Sequence, residues 1–162
     1  MNLHTFAGLP LHILLVHFMV VGGPLTAIAV LLHAFWPAAR RRLGVVTPIA
    51  GLAILVLTPI TVEAGEYLQS VVGTTPALAT HVERGEGLLP WSIALFVVAA
   101  AEWVWWRFAL GPGFDVRLTS GVRWGGTVVV WVAAAVIGVG FLVEIFLIGD
   151  SGSRAVWGGL HL

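Results

Sequence analysis

Four apolar runs, each long enough to cross a lipid bilayer, limit what this chain can fold into. They extend from Leu11 to Phe35, from Gly44 to Val62, from Leu88 to Phe108 and from Trp124 to Ile148. A spanning helix needs about 20 mostly apolar residues. Inside the bilayer every backbone N–H and C=O must be satisfied within the segment, so such runs read as helices. Charged residues make up only 10% of the chain and hydrophobic ones 59%. Soluble domains carry roughly 25% charged residues, so this chain has too few to coat a globule in water. The expected fold is therefore all-α: one domain over residues 1–162, a four-helix transmembrane bundle packed up-down-up-down in the lipid bilayer.

Each run ends at charge or turn chemistry. The first stops at Pro37 and Arg40-Arg41-Arg42, the second at Glu63, the third near Arg107 and Gly111-Pro112-Gly113, and the fourth at Gly149-Asp150-Ser151-Gly152. No Lys or Arg precedes the first run, which is also longer than the apolar core of about 7–15 residues in a secretory signal. It is expected to stay in the membrane. Arg40, Arg41, Arg42, Arg107, Arg117 and Arg123 fall in the first and third connections, against Arg84 and Arg154 elsewhere. By the positive-inside rule this puts both termini on the extracytoplasmic side of a bacterial cytoplasmic (inner) membrane, as a multi-pass protein. Trp36, Trp103, Trp105, Trp106 and Trp124 would mark the inner interface, and Tyr67, Trp91 and Trp157 the outer one.

The connection from Glu63 to Glu86 is long for a structureless loop. Its first part, to Val72, reads as a continuation of the second helix, and Thr75-Pro76 as a helix start. The third helix would then run from Pro76 with a kink near Pro90. Thr47-Pro48-Ile49 and Thr58-Pro59-Ile60 read as two kinks of the second helix, and Gly22-Gly23-Pro24 as one in the first. Gly125, Gly126, Gly138 and Gly140 read as close-packing positions of the fourth.

Zero net charge disfavours nucleic acid as a partner, because binding phosphate needs clustered positive charge. The absence of Cys excludes disulfides, thiolate metal sites and iron–sulfur clusters on these residues. Gly149-Asp-Ser-Gly-Ser153 lacks the strand–turn–helix context of a nucleophile elbow, and no Walker or dinucleotide motif occurs. No catalytic residue is assigned, and a non-enzymatic role is favoured.

Ionisable side chains inside a bilayer cost roughly 2.5–3.5 kcal/mol each on insertion scales and are functional candidates by default. Most of them gather near the outer face. His12 heads the first helix, and His17 lies about 7.5 Å deeper. Glu63 and Glu66 end the second, an i,i+3 pair expected on one face. His81, Glu83 and Glu86 precede the third, and Glu144 lies about 9 Å inside the fourth. His33, Glu102 and Asp115 belong to the cytoplasmic half, where His33 and Glu102 are placed to pair across the first and third helices. The middle of the bundle offers only Trp131, Ser92 and Thr residues, which argues against a proton channel.

Three readings of the outer group are open. Imidazole and carboxylate together suit a transition metal ion, with His12, Glu63, Glu66 and His81 as ligands at one height. A b-type haem needs two axial ligands, which His81 would share with His12 or His17, matched depth favouring His12. Alternatively the polar groups are structural. His17 would then bond Glu144, Glu63, Glu66, His81 and Arg84 would tie the helix extensions together, and Asp150 would pair with Arg154.

Several segments resemble those of an uncharacterised bacterial membrane family, domain of unknown function 2231. Leu9-Pro-Leu-His-Ile-Leu-Leu-Val-His-Phe18 is similar to its opening signature, and Thr61-Val-Glu-Ala-Gly-Glu-Tyr-Leu68 to the element closing its second helix. His81-Val-Glu-Arg-Gly-Glu-Gly-Leu-Leu-Pro-Trp91 is similar to its His…Leu-Pro-Trp segment. Gly149-Asp-Ser-Gly-Ser-Arg-Ala-Val-Trp157 resembles its closing element, where His often replaces Asp150. The resemblance covers nearly the whole chain and implies a four-helix membrane domain of no established activity. Relatives are sometimes fused ahead of a Rieske domain, which hints at respiratory electron transfer. It singles out His12, His17, Glu63, Glu66, His81 and Glu86.

The resulting expectation is a membrane module holding a transition metal ion or haem b at its outer face, for a redox or respiratory membrane partner. His12, His17 and His81 are the haem candidates and His12, Glu63, Glu66 and His81 the metal ligands, with Glu86 and Glu144 orienting them. The competing expectation is a cofactor-free accessory or structural subunit of a membrane complex.

Overall fold

The computed structural model describes residues 5–6, 8–111 and 118–158, with the Phe6 side chain excepted. Asp115, Arg117 and the Pro112-Gly113 turn expected after the third helix lie outside them. A two-residue hairpin, β1 (Thr5–Phe6) with β2 (Leu9–Pro10), leads into α1 (Leu11–Phe35). There follow α2 (Pro37–Leu43), α3 (Val46–Val72), α4 (Pro76–Glu86), α5 (Leu88–Val104) and α6 (Ser120–Trp157). A π-helical turn, Trp105–Ala109, continues α5.

The described residues contain four helical segments long and apolar enough to span a bilayer: Leu11–Phe35, Val46–Val72, Pro76–Ala109 and Ser120–Trp157. They form a closed ring, in which α1 packs on α3 and α6, and α5 packs on the same two. The core between them holds Phe141, Leu95, Val30, Ala27, Ala99 and Ala134, all fully buried. The outward faces are apolar as well: Val129, Val132, Val136, Val139, Val143 and Phe146 of α6 are all exposed. A helix that is hydrophobic all round suits lipid on one side and protein on the other.

Small residues let the helices approach. A Cβ on Gly126 or Gly140 would meet the Trp105 or Trp91 ring at 2.2 Å, and one on Gly138 would meet Leu31 at 3.0 Å. Gly125 differs from the expectation, since it faces open space and packs on nothing.

Two proline readings are also corrected. Pro48 does not kink α3, because it lies in the first turn, where no intrahelical N–H is needed. Pro59 is the interior one, with Thr58 Oγ1 donating to the Ile54 carbonyl at 2.8 Å. In α1, Thr26 Oγ1 likewise donates to the Gly22 carbonyl beside Pro24. The break expected near Pro90 falls at Gly87 instead, and Pro90 sits in the first turn of α5 for the same reason as Pro48. α4 starts where the sequence indicates, with the Thr75 hydroxyl accepting from the Leu78 N–H.

The short helix α2 carries the three arginines. Arg40 turns back over the end of α1, its Nε donating to the His33 carbonyl at 2.8 Å and its Nη2 to the Ala34 carbonyl. Its guanidinium lies 3.4 Å from the centre of the Trp106 ring, a close cation–π contact.

Candidate functional site

At the end of the bundle where α1 begins, the four-fold packing opens into a cavity of about 830 Å³. It is walled by α1, α3, α4 and α6, mostly with apolar side chains such as Val16, Met19, Leu78, Val82, Ile145 and Val156. Its size lies in the range of small-molecule and cofactor pockets, about 300–1,000 Å³. The polar groups in its wall include His12, His17, Glu66 and His81.

His12 and His81 come together. Their ring centres are 6.5 Å apart and their planes at 77°. His12 Nδ1 bonds the Thr61 carbonyl of α3 at 2.9 Å. His81 Nδ1 faces the Ile148 carbonyl and the Ser151 hydroxyl of α6, each at 3.2 Å. A carbonyl only accepts, so Nδ1 of each ring carries the proton. Each Nε2 is then left as a lone-pair donor. This is how a metal-binding histidine is usually held, its far nitrogen fixed by a carbonyl. Neither Nε2 hydrogen-bonds a described residue.

Glycine makes room for both rings. A Cβ on Gly65 would lie 2.9 Å from Cε1 and Nδ1 of His12, and one on Gly152 would lie 2.9 Å from Cε1 of His81. A side chain at either position would push the imidazole off its carbonyl. Gly65, Gly152, Thr61 and Ser151 were not among the residues expected to build the site. From the sequence they are unremarkable, because only the pairing of helices shows what stands opposite them.

The four-ligand metal set does not form. Among the described residues no three His, Asp or Glu side chains gather closely enough to hold a metal ion. The reason is angular. Thr61 and Gly65 define the stripe of α3 that faces His12, and Glu63 is two residues from each. Two residues are about 200° around a helix of 3.6 residues per turn. Glu63 accordingly points away and is exposed, while Glu66 reaches the cavity rim but is also exposed.

The other expected contacts are mixed. His17 bonds the Ile13 carbonyl of its own helix rather than Glu144. Glu144 stands one position off the inward stripe of Phe141 and Ile145, facing the Gly87 joint. Glu86 is exposed and lines no part of the cavity. No hydrogen bond joins Glu63, Glu66, His81 and Arg84 among the described residues; His81 is held by α6 instead. Asp150 and Arg154 do pair, at 2.9 Å on the surface.

The opposite end holds a second polar group. His33 Nδ1 and Glu102 Oε2 share a hydrogen bond of 2.9 Å, with both side chains almost fully buried. This is the expected pairing between the first and third spans.

Comparison with known proteins adds no relative: no family model, no curated protein and no solved structure matches this chain.

Proposed function

We propose that this bundle is an electron-transfer protein of a bacterial cytoplasmic membrane, with one b-type haem held between His12 and His81 at the extracytoplasmic end. Membership of the uncharacterised membrane family that its motifs resemble is part of the same reading. The observation that carries it is the pair of imidazoles from α1 and α4, tethered through Nδ1 to carbonyls of α3 and α6 respectively and facing one cavity.

The number of ligands favours haem over a bare ion in this reading. A zinc site takes three or four protein ligands, and only two groups converge here. A porphyrin supplies four nitrogens of its own and asks the protein for two axial ligands. His12 and His81, whose ring centres lie 6.5 Å apart, would be the residues that hold the group. The apolar walls suit a macrocycle, and burial and axial ligation are the levers that set its potential. When bound, haem supplies one-electron redox chemistry. The chain's own part is to fix the two Nε2 atoms, exclude water with Met19, Leu78 and Ile145, and leave the rim open to a redox partner.

The test is a spectrum of the protein purified from membranes grown with a haem precursor. A Soret band that sharpens on dithionite reduction, near one haem per chain, and lost in both His12→Ala and His81→Ala, is the expected result. A blank spectrum together with blank metal analysis overturns it and leaves the cofactor-free accessory role.

A further inference from the structure

The Arg-rich end of the bundle contains a polar pocket that the haem reading does not use. Glu102 of α5 is completely buried, with one carboxyl oxygen bound to His33 and the other, Oε1, without a partner. Thr47 Oγ1, also completely buried, has no partner either, nor has Trp106 Nε1. Buried polar groups are almost always hydrogen-bonded, so three orphans at one end of a small bundle need an explanation.

The helix register places two of them together. α3 and α5 run antiparallel, and a Cβ on Gly51 would touch Phe96 and Ala99. One turn before Gly51 is Thr47, and one turn after Ala99 is Glu102, so both stand at the same level of facing helices. An acceptor and a hydroxyl at one level of facing helices, both buried and both without a hydrogen-bond partner, describe a seat for an ordered water. The charged or titratable groups acting on Glu102 among the described residues are His33 of α1 and Arg40 of α2. α3 brings only the Thr47 hydroxyl. Arg40 closes the end, pinned to the α1 carbonyls and stacked on Trp106.

Toward the centre the path stops. The hydroxyls of Thr26, Thr58, Thr61 and Ser92 all donate to carbonyls of their own helices. None is free to pass a proton from Glu102 onward by donating to a water.

We propose that Glu102 and His33 form a buried proton-binding site, hydrated by an internal water between Glu102 Oε1 and Thr47 Oγ1, that exchanges with bulk water only past Arg40. It takes up and releases one proton, carried on the Glu102 carboxyl, at one membrane face and conducts none across. This site is independent of the haem.

Infrared difference spectra of the protein in lipid, taken over about pH 4–9, the range over which carboxyls titrate in proteins, test it. The expected result is a carboxyl band that grows on acidification, shifts in deuterium oxide, is absent in Glu102→Gln and persists in Glu144→Gln. Thr47→Val should move its frequency, because it removes one anchor of the water; an unmoved band overturns the hydrated form of the site. No titrating band, or one that survives Glu102→Gln, overturns the site itself. Dicyclohexylcarbodiimide gives a second readout on unmutated protein. A carbodiimide nitrogen takes the carboxyl proton, the carboxylate oxygen bonds the central carbon, and the resulting O-acylisourea rearranges to a stable N-acylurea. Mass spectrometry should find the adduct on Glu102 and more of it at low pH. Adducts confined to Glu63 and Glu66 overturn the proposal, as does protection of Glu102 by sodium ions, which would mark a metal-cation site instead.

Discussion

At the scale of the residue, two glycines decide whether the imidazoles of the cavity stay where they are. Gly65 and Gly152 each leave the space that a His ring fills, with 2.9 Å between the ring and an added Cβ. Gly65→Ala and Gly152→Ala should therefore weaken the proposed haem binding while the bundle still inserts. Overpacking of this kind costs about 1–3 kcal/mol, and a Soret titration with added haem reads the loss as weakened binding. Glu63→Gln should leave the same titration unchanged, since Glu63 faces away from the cavity. His12, His81 and the His33–Glu102 pair were legible in the sequence because depth along a span is simple arithmetic at 1.5 Å per residue. Which side of a helix a residue faces was less legible. Equal height suggested that Glu63 and Glu66 would join the histidines, but azimuth is set by neighbouring helices. Glu144 shows the same: its depth matches His17, yet it looks toward Gly87.

At the scale of the element, α4 carries His81 and is a weakly supported helix. It has eleven residues, and no side chain of it is fully buried. Isolated helices shorter than about 12–15 residues are marginal in water, so its start depends on the Thr75 cap and its position on contact with α6. Thr75→Ala should cost about 1 kcal/mol, the usual value of an N-cap. Hydrogen exchange should then quicken at Ala77–Ala79 and not in α5. The long helices were plain from their apolar runs, whereas α2 was not anticipated, because Arg40-Arg41-Arg42 read only as a connection. The Gly87 break was misplaced to Pro90 because proline is disruptive in a helix interior but not in a first turn. Packing of α6 depends on Gly140, whose added Cβ would stand 2.2 Å from the Trp91 ring. Gly140→Ala should lower the melting temperature in detergent, by an amount corresponding to about 1–3 kcal/mol, while the neutral control Gly125→Ala should not.

At the scale of the whole molecule, chemistry is divided between two ends. The cavity with His12 and His81 lies where α1 begins, and the Arg40–Glu102–His33 group lies where α1 ends. Between them the bundle is apolar or internally bonded, so the ends communicate through packing and not through a chain of exchangeable groups. Orientation therefore fixes which compartment each end serves. The arginines of α2 face outward from the bundle end, except Arg40, whose guanidinium burial pushes below its usual value while the Glu102 charge opposes that push. By the positive-inside rule a cluster this basic is expected on the cytoplasmic side, which would set the proposed haem cavity outside and the proposed proton site inside. The chain has no Cys, so single introduced thiols report the answer cleanly. Ser153→Cys and Arg41→Cys both fall at exposed positions at opposite ends. In intact cells a membrane-impermeant maleimide should label Ser153→Cys at once and Arg41→Cys only after lysis. The reverse pattern would put the cavity in the cytoplasm, where an electron partner of the outer face cannot reach it.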